Sequence, residues 1–426
     1  MSWHDAAMSD VTSSDWQIRV PSADELVEFA RPVQMAFGGG FSDAELEDWL
    51  QLAESERWLG ASPAGSELVA GAASAFSVQL TVPGGQVSAA AVTGVGVRPD
   101  HRRRGILRAL MTRQLHDVRE RGEPAAVLWA SEGSIYQRFG YGLSTLDGAL
   151  EIDTSRTRFA RDLPAEGRVR IVDEQEAAEL FPRVYEAMRA VTPGSISRSD
   201  RWWTSTTLAD PEYYRRGAGP KFRALYEVDG RPEGYALYRM REEWDDRGPS
   251  GVLEVSEALT TTPRSVRGLW RYLFDVDLVR TVKASRVPLP TPLQHVLAEP
   301  RAMGLLVKDG LWTRLVDLSA ALSARRYGAA DTLVLAVADA LCPWNDGTWR
   351  LTTEGPGGEA VAAVEAVDGP ADLALDIADL GALYLGGTRP GELAAAGRLE
   401  ERTPGAARRL AAMFVADVTP WCSTMF

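Results

Sequence analysis

The sequence predicts an α+β protein of two or three domains, and three observations lead to that prediction. The chain of 426 residues is too long for a single hydrophobic core. Residues 92–142 predict a strand, a basic turn, a helix and a second strand, and the same order of elements returns in residues 169–284. From about Leu311 onwards the composition changes to alanine and leucine. Two related α/β units followed by a unit of different character account for these patterns.

Composition and charge narrow the classes of function. Apolar residues make up 45% of the chain and charged residues 25%, as in soluble globular proteins. The formal net charge of −13 argues against nucleic-acid binding and favours cationic partners. The apolar runs are too short for a membrane span, and residues 1–16 lack the pattern of a secretory signal. Two cysteines, Cys342 and Cys422, make no disulfide framework, so we expect a cytoplasmic protein with free thiols.

The segment before the basic turn predicts helices and strands. The predicted elements are a strand at Ile18–Val20, a helix at Asp24–Phe37 that Pro32 should kink or break, a second helix opened by the capping box Ser42–Glu45, and strands at Glu67–Phe76 and Ser77–Val82 that a hairpin turn closes. The second helix carries Asp43, Glu47 and Asp48 opposite its apolar face. These acids form either the solvated side of an amphipathic helix or an acidic mouth for a polycation.

The basic turn is the strongest functional signal. Val92–Val97 predicts a strand, after which three arginines at 102–104 lead into Gly105 and a helix. A helix opening presents free N–H groups and the positive end of the helix dipole, and glycine lets the backbone approach a phosphate closely. By itself the turn is either an anion site or an arginine-rich solvated turn. Residues 131–136 follow the next strand, Ala125–Ala130, at its carboxyl end, where open α/β sheets place ligands, and they favour the anion site.

The two later regions also predict mixed structure. In the second region, the predicted strands are Val169–Val172, Arg223–Val228, Gly234–Met240, Val252–Leu259 and Leu278–Ala284, and the predicted helices are Glu174–Arg189 and one through Leu269–Phe274. The third region predicts a helix across residues 311–327, strands at Thr332–Ala338, Trp349–Thr353, Ala360–Val364 and Leu373–Ile377, and helices at Asp379–Leu385 and Ala406–Phe414. The loop Thr261–Val266, with the sequence TTPRSV, stands where the first unit has Arg102–Gly105, and we expect that it is not suited to pyrophosphate. Apolar residues among Asp417–Phe426 predict a buried tail.

Two motifs resemble a known family. Residues 95–108 read V-x-V-R-P-x-x-R-R-R-G-I-L-R, and residues 129–142 read W-A-S-E-G-S-I-Y-Q-R-F-G-Y-G. Together they resemble the acyl-CoA site of GNAT acetyltransferases, and more narrowly the Eis ("enhanced intracellular survival") branch of aminoglycoside N-acetyltransferases. The general GNAT loop, [Q/R]-x-x-G-x-[G/A], ends in a small residue, whereas this chain has Leu107 there. Leucine at that position suits the Eis pattern, and the resemblance extends over the whole chain.

The resemblance implies a domain organisation and an assembly. It implies tandem GNAT (acyl-CoA N-acyltransferase) domains followed by a sterol-carrier-protein-like α/β domain. Residues 1–158 would form the domain with the acetyl-CoA site, residues 159–310 a degenerate second GNAT domain, and residues 311–426 the last domain, whose C-terminus enters the active site. Eis proteins are hexamers, so a homohexamer is implied, as a trimer of dimers or a dimer of trimers.

The resemblance also assigns roles to residues. Acetyl-CoA is the implied co-substrate and no metal is implied. The residues implied to bind acetyl-CoA are Val95, Gly96, Val97, Arg103, Arg104, Gly105, Ile106, Leu107, Arg108, Ser131 and Glu132. Backbone groups of a splayed strand, here Val95–Val97, commonly bond the thioester carbonyl and pantetheine in GNAT folds.

Two groups are implied to take part in the chemistry. Tyr136 is the implied proton donor, and a phenol of pKa near 10 protonates a thiolate of pKa near 8.5 at a cost of about 2 kcal/mol. The α-carboxylate of Phe426 is the implied base. Because its ordinary pKa is about 3.5, we expect it first to hold the cationic amine, with the proton leaving through water. The four histidines, His4, His101, His116 and His295, are poor candidates for either role.

The implied function is transfer of acetyl from acetyl-CoA to primary amines of polycationic small molecules such as aminoglycosides, at one or several positions. Two other functions stay open. One is a lysine or peptide N-acetyltransferase, and the other is a non-catalytic lipid-binding or regulatory protein with a relict GNAT site. The intact arginine turn, with Ser131 and Tyr136, speaks against a relict site.

Overall fold

Three β-sheets with helices packed on them organise the chain. The structure is a computed structural model that describes residues 16–39, 41–163 and 166–426. Residues 1–15 lie outside the described residues. They include His4 and all but the last residue of the N-terminal segment, 1–16, that was considered above as a possible secretory signal. None of the helices within those described ranges combines the length and the apolarity that crossing a bilayer requires.

The N-terminal region contains seven strands and four α-helices among its described residues. The strands are β1 (Trp16–Arg19), β2 (Leu59–Pro63), β3 (Gly71–Val82), β4 (Gly85–Val97), β5 (Ala125–Trp129), β6 (Gly142–Leu143) and β7 (Leu146–Asp153), and the helices are α1 (Leu26–Ala36), α2 (Asp43–Leu50), α3 (Ile106–Glu120) and α4 (Gly133–Tyr136). The predicted capping box is present, since the Glu45 N–H donates to Ser42 Oγ at 3.2 Å and the Ser42 N–H donates to the Glu45 carboxylate at 2.7 Å.

Two elements of this region differ from the sequence prediction. Helix α1 runs unbroken through Pro32, because Phe29 and Val33 bury their side chains and this packing outweighs the hydrogen bond that proline removes. The packing is close, since a Cβ on Gly96 of β4 would lie 2.6 Å from the Val33 Cα atom. Strand β3 is continuous where two strands were predicted, so the hairpin that it forms with β4 is long.

The middle region contains all the strands and helices predicted there, together with several short elements. The strands are β8 (Arg168–Ile171), β9 (Phe222–Val228), β10 (Arg231–Arg241), β11 (Trp244–Asp245), β12 (Gly248–Pro249), β13 (Gly251–Thr260), β14 (Val279–Val287) and β15 (Leu306–Asp309), and the helices are α5 (Glu174–Arg189), α6 (Asp200–Trp202), α7 (Glu212–Arg215), α8 (Pro263–Phe274) and α9 (Leu293–Val296).

The C-terminal region begins with a strand where a helix was predicted. Its strands are β16 (Leu311–Leu315), β17 (Asp331–Ala338), β18 (Gly347–Glu354), β19 (Val361–Ala366), β20 (Leu373–Asp376) and β21 (Leu399–Glu401), and its helices are α10 (Leu318–Ala324), α11 (Ile377–Tyr384), α12 (Pro390–Ala395) and α13 (Ala406–Phe414). Every residue of β16 is buried, as in a central strand covered on both faces. The helix starts only after Asp317, whose carboxylate caps it by accepting the Ala320 N–H at 2.9 Å.

The first two sheets each contain a strand from across the predicted domain boundaries at 158 and 311, whereas the third sheet is built from the C-terminal region alone. The first sheet has the order β1-β2-β3-β4-β5-β16-β6, the second β15-β7-β14-β13-β10-β9-β8, and the third β19-β18-β17-β20-β21. Strand β7 comes from the N-terminal region but belongs to the second sheet. Strand β16 comes from the C-terminal region but belongs to the first sheet. Parallel pairs occur at β4–β5, β13–β14 and β17–β20 within otherwise antiparallel sheets. The predicted α+β class is confirmed.

Candidate active site

A cleft opens in the first sheet where β4 and β5 separate. Their parallel pairing ends at Ala91 and Val127, whereas β4 continues to Val97. A bulge at Gly94, with φ of +58°, turns the strand between the pairs Ser74–Thr93 and Ala72–Gly96. Val95, Gly96 and Val97 follow the bulge, so they lie on the part of β4 that has separated from β5. A strand edge that separates at Val95–Val97 is the geometry that the family resemblance implies for bonding pantetheine.

The arginine turn and the opening of α3 lie just beyond that strand. Gly105 caps α3 with φ of +79°, and Arg103 has φ of +63°. The side chains of residues 102–104 are exposed, and no carboxylate among the described residues lies within 4.0 Å of their guanidinium groups. The Trp16 indole N–H donates to the Arg104 carbonyl at 2.9 Å and fixes the turn. Forked donors and free helix N–H groups therefore meet at an exposed point, which suits a pyrophosphate.

Reversing the charge of this turn should weaken acetyl-CoA binding. We expect Arg103→Glu with Arg104→Glu to raise the acetyl-CoA KM about tenfold or more, because one charge-assisted hydrogen bond contributes about 1.5–3 kcal/mol. Arg113→Glu is the control for a charge reversal outside the turn. Arg113 lies in α3, two turns beyond its opening, and pairs with Asp117 at the surface. Steady-state kinetics measure this KM. If the double variant kept the wild-type value, the turn would be a solvated turn that does not bind acetyl-CoA.

Tyr136 lies at the end of α4, beside the carboxyl end of β5. Ser131 and Glu132 are exposed in the connecting loop, whereas Tyr136 is only 7% exposed. Its ring meets the Tyr141 ring edge-on, with the centroids 6.0 Å apart. Burial, and to a lesser degree the nearby Glu132 carboxylate, raise the pKa of Tyr136 to about 12. The phenol therefore stays protonated at neutral pH, and it can donate only in concert with bond cleavage, because free transfer to a thiolate is more uphill than ordinary pKa values imply.

The C-terminal tail reaches this region. Trp421–Thr424 are buried although residues 415–426 form no helix or strand, so the predicted burial of the tail is confirmed for this part. Met425, which was also expected to be buried, is 56% exposed. The Trp129 indole N–H, at the end of β5, donates to the Thr424 carbonyl at 2.9 Å. Phe426 is partly buried against the apolar cluster that Trp129 and Leu52 also contact. The chain thus brings its last residues to the strand end that precedes Tyr136.

A cavity of about 230 Å³ lies beside Arg198, a residue that also bonds Thr424 of the tail. It is lined by Leu52, Glu54, Phe76, Ser77, Val78, Ser197, Arg198, Ser199 and Trp202. Phe76 and Trp202 meet edge-on with ring centroids 5.2 Å apart. A larger polar hollow of about 380 Å³, lined by residues such as Gln17 and Glu67, contains none of the residues of the cleft or the tail.

Comparison with known proteins places this geometry in a family. Models of the acetyltransferase (GNAT) domain match residues 17–144 and 194–316, and a model of the sterol carrier protein domain matches residues 318–423. An uncharacterised N-acetyltransferase of Streptomyces avermitilis is 40% identical over 389 residues, which cover 91% of this chain and 93% of that protein. The N-acetyltransferase Eis of Mycobacterium tuberculosis is 36% identical over 368 residues, covering 84% of this chain and 86% of Eis. The crystal structure of Eis1 from Mycobacterium abscessus, at 32% identity, has a TM-score of 0.82 over 96% of this chain and 100% of Eis1.

The chain belongs to the Eis family of GNAT N-acetyltransferases. It is therefore an enzyme that transfers acetyl groups to amines, with acetyl-CoA as co-substrate. The predicted fold, two GNAT units followed by a sterol-carrier-protein-like domain, is confirmed by the order of the matched models.

In the second GNAT unit of this Eis-family chain, a side chain lies where the parallel strands β13 and β14 separate. The pairing of β13 with β14 ends at Val255 and Ala284, and the Arg286 guanidinium donates to the Ser256 carbonyl just beyond, at 2.7 Å. At the opening of α8, the Glu233 carboxylate accepts from the Thr262 hydroxyl at 2.8 Å. The same carboxylate pairs with the Arg264 guanidinium, so the arginine at this helix opening is already bonded within the chain, unlike the exposed arginines of the first unit. This pairing gives a physical reason why the opening does not suit pyrophosphate.

Two kinds of residue at the cavity and beside the tail were not found from the sequence. Glu54, Phe76 and Trp202 line the cavity, but they come from separate elements and share no local motif. Arg198 follows no predicted element, and its importance depends on contacts with the tail. Of the acids proposed for α2, Asp43 pairs with Arg31 at 3.0 Å and Asp48 accepts from the Tyr213 hydroxyl, which favours a structural role for that face.

A buried carboxyl group should make stability depend on pH. Asp147 is 7% exposed, and its Oδ1 accepts from the Trp421 indole N–H at 3.3 Å. Burial raises the pKa of Asp147 to about 6, although the Trp421 hydrogen bond and Arg286 oppose the shift. Because the folded state binds this proton more tightly than the unfolded state, the stability that Asp147 contributes is lost as the pH rises from about 4 to about 6.

Asp147→Asn should therefore raise Tm by about 2–4 °C at pH 7.5, and the gain should shrink towards pH 4. Thermal melts followed by circular dichroism measure both. Asp309→Asn is the matched control, because the exposed Asp309 also accepts an indole N–H, from Trp312 at 3.0 Å. A gain of equal size at pH 4 and pH 7.5 would show that the ionised carboxylate is not its source.

Proposed function

We propose that this enzyme acetylates primary amines of polycationic small molecules such as aminoglycosides, at one or several positions. The observation that carries the proposal is that one side chain connects the cavity with the C-terminal tail. Arg198 lines the cavity and also donates to Thr424 Oγ1 at 2.9 Å. Leu52, Phe76 and Trp202 of the cavity belong to, or pack against, the same cluster as Phe426. An amine in the cavity is therefore separated by one side chain, that of Arg198, from the tail residue Thr424.

The character of the cavity supports an amine attached to a compact, partly apolar body. Phe76 and Trp202 offer ring surface, and aromatic rings attract cations as well as apolar groups. Glu54 supplies a carboxylate whose oxygens accept from the Ser77 N–H at 2.7 Å and the Ser77 hydroxyl at 2.6 Å. A volume of about 230 Å³ suits one ring of a larger molecule, the rest of which would lie outside. The net charge of −13 also favours cationic substrates.

We assign the following roles. The residues proposed to hold acetyl-CoA are Val95, Gly96, Val97, Arg103, Arg104, Gly105, Ile106, Leu107, Arg108, Ser131 and Glu132. The carboxylate of Phe426 orients the cationic amine, which loses one proton through water to become a nucleophile. As the amine nitrogen forms its bond to the acetyl carbon and the carbon–sulfur bond breaks, the Tyr136 hydroxyl gives its proton to the departing sulfur. The nitrogen then releases its second proton, which passes through water and restores the Tyr136 hydroxyl, so that the products are the amide and the free thiol of CoA. Backbone groups of β4 stabilise the negative charge on the acetyl oxygen.

A thiol-release assay with acetyl-CoA tests this function. We expect free thiol to appear with aminoglycosides and linear polyamines, and mass spectrometry of the products to count the acetyl groups added. A lysine-containing peptide is the comparison, because a lysine side chain also fits a narrow cavity. Faster acetylation of the peptide than of every small amine would favour the lysine N-acetyltransferase alternative. An absence of amine-dependent thiol release would favour the non-catalytic alternative.

We further propose a homohexamer in the cytoplasm. The apolar side chains of Leu306 and Val307 on the edge strand β15 are each 55% exposed, and a subunit contact would cover them. Both cysteines are free thiols, as suits a reducing compartment that supplies acetyl-CoA. Light scattering should give six times the chain mass of 46.3 kDa, whereas the monomer mass across micromolar concentrations would contradict the assembly.

A further inference from the structure

A buried charged pair of the second GNAT unit faces the C-terminal tail. The side chains of Arg198 and Glu257 are 3% and 7% exposed, and two hydrogen bonds of 3.1 and 2.6 Å join them. The Tyr235 hydroxyl also donates to Glu257, at 2.9 Å. The guanidinium carbon lies 4.1 Å from the centroid of the Tyr185 ring and 4.9 Å from that of Trp203. Glu257 and the two rings hold the guanidinium plane in one orientation.

The free edge of that guanidinium binds the tail. Arg198 Nε donates to the Thr424 hydroxyl at 2.9 Å, and one terminal nitrogen lies 3.4 Å from Ser423 Oγ. Tyr185 donates its hydroxyl proton to the Ile196 carbonyl at 2.6 Å, so its oxygen accepts from the Thr424 hydroxyl, 2.8 Å away. The Thr424 hydroxyl therefore accepts from Arg198 and donates to Tyr185. Both of its hydrogen-bonding functions are used within a fully buried site.

Thr424 is at the same time bonded to the first sheet through Trp129, whose indole N–H donates to the Thr424 carbonyl. Only Met425 and Phe426 follow it, so the terminal carboxylate stays within about 7 Å of this anchor. Met425 is 56% exposed and Phe426 is partly buried, so the chain leaves the anchor towards the surface and turns back onto the apolar cluster. The position of the carboxylate depends on two residues and on what holds Thr424.

We propose that Arg198, held by Glu257, and Tyr185 form a clamp on Thr424 that positions the terminal carboxylate at the amine site. Arg198 is then a positioning residue, and the second GNAT unit contributes this clamp instead of a second acetyl-CoA site. The inference rests on the function proposed above, because the clamp matters for catalysis only if the carboxylate of Phe426 meets the amine.

Two substitutions of Thr424 separate hydrogen bonding from packing. Thr424→Val keeps the shape and removes the hydroxyl, whereas Thr424→Ser keeps the hydroxyl and removes a methyl group. We expect Thr424→Val to lower kcat about tenfold or more with the acetyl-CoA KM within about twofold of wild type, and Thr424→Ser to restore most of the activity. A packing role predicts the reverse order. Thr313→Val is the control, because Thr313 is equally buried in the first sheet and bonds Ser144 at 2.6 Å, away from the tail.

A second measurement tests the clamp without relying on catalysis. Carboxypeptidase should release Phe426 from Thr424→Val about tenfold faster than from Thr424→Ser or Thr313→Val, as followed by mass spectrometry of the intact protein. Equal release rates would overturn the clamp. Faster release with an unchanged kcat would overturn its positioning role. If the wild-type enzyme acetylates no amine, the proposed function fails with the positioning role, and the release rates still decide whether the clamp exists.

Discussion

Adding a few residues after Phe426 should abolish amine acetylation in a protein that still folds. Thr424 is held by Trp129 of the first sheet and by Arg198 of the second GNAT unit, so we expect an extension to leave this anchor in place, to displace the carboxylate and to add bulk beside it. We expect kcat to fall more than about 100-fold, because a misplaced group loses the benefit of fixed orientation. The Tm should change little, since Phe426 is only partly buried. Steady-state kinetics and a thermal melt of the same sample measure the two effects.

The matched control carries the same added residues before Met1, and it should keep the wild-type rate. Deleting Phe426 is a complementary change, because it moves the carboxylate by about 3.5 Å without adding bulk. A correctly folded C-terminal extension with the wild-type rate would show that the terminal carboxylate has no role. Glu132, acting through water, would then be the next carboxylate to test as the base.

Tyr136→Phe should lower kcat by a factor of about 10²–10⁴ while acetyl-CoA still binds, because general-acid catalysis typically contributes that much. The change removes only the hydroxyl, and the ring keeps its edge-on contact with Tyr141. Burial has raised the pKa of Tyr136 to about 12, so the loss should be similar at every pH below that value. Rates measured from pH 6 to pH 9, with acetyl-CoA binding followed by calorimetry, separate the chemistry from binding.

Tyr141→Phe is the control for this result. Tyr141 is fully buried, and its hydroxyl has no hydrogen-bond partner among the described residues. Removing that hydroxyl should leave kcat unchanged, because Tyr141 packs against Tyr136 without taking part in proton transfer. Equal losses in the two variants would mean that the tyrosine pair acts through packing, and the proton donor would have to be another group.

Local patterns predicted much of this fold because the signals were local. The capping box at Ser42, the helix Glu174–Arg189 and the hairpin of β9 and β10 lie where their sequences place them. Pro32 misled the prediction, since packing of Val33 against Gly96 outweighs the missing hydrogen bond.

The misreading of residues 311–327 has a different origin. In an apolar run that is buried on both faces, polar and apolar residues do not alternate with the period of a strand or of a helix, so the two cannot be distinguished from the sequence. Whether Leu311–Leu315 is a strand depends on β5 and β6, which lie far away in the sequence and flank it in the first sheet.

The candidate site also has parts that local sequence patterns predict and parts that depend on distant contacts. The turn at Arg103 and Gly105 and the position of Tyr136 follow from contiguous motifs, and the resemblance to the Eis family extended them to Phe426. Arg198 could not be found, because an arginine gains its role here from Glu257 and Thr424, at separations of 59 and 226 residues. Such contacts exist only in the folded chain.

The return of β16 to the first sheet also determines when that sheet can form. As the chain leaves the ribosome, Ala125–Trp129 is made early, yet the strand that covers its free edge is not made until Leu315 has been added. Until then an apolar edge strand stays open to pairing with other nascent chains. The tail that carries the proposed active-site carboxylate is made last of all. Under the mechanism proposed above, acetyl transfer would begin only after Phe426 has been added, so a shorter nascent chain would not act on the amines around it.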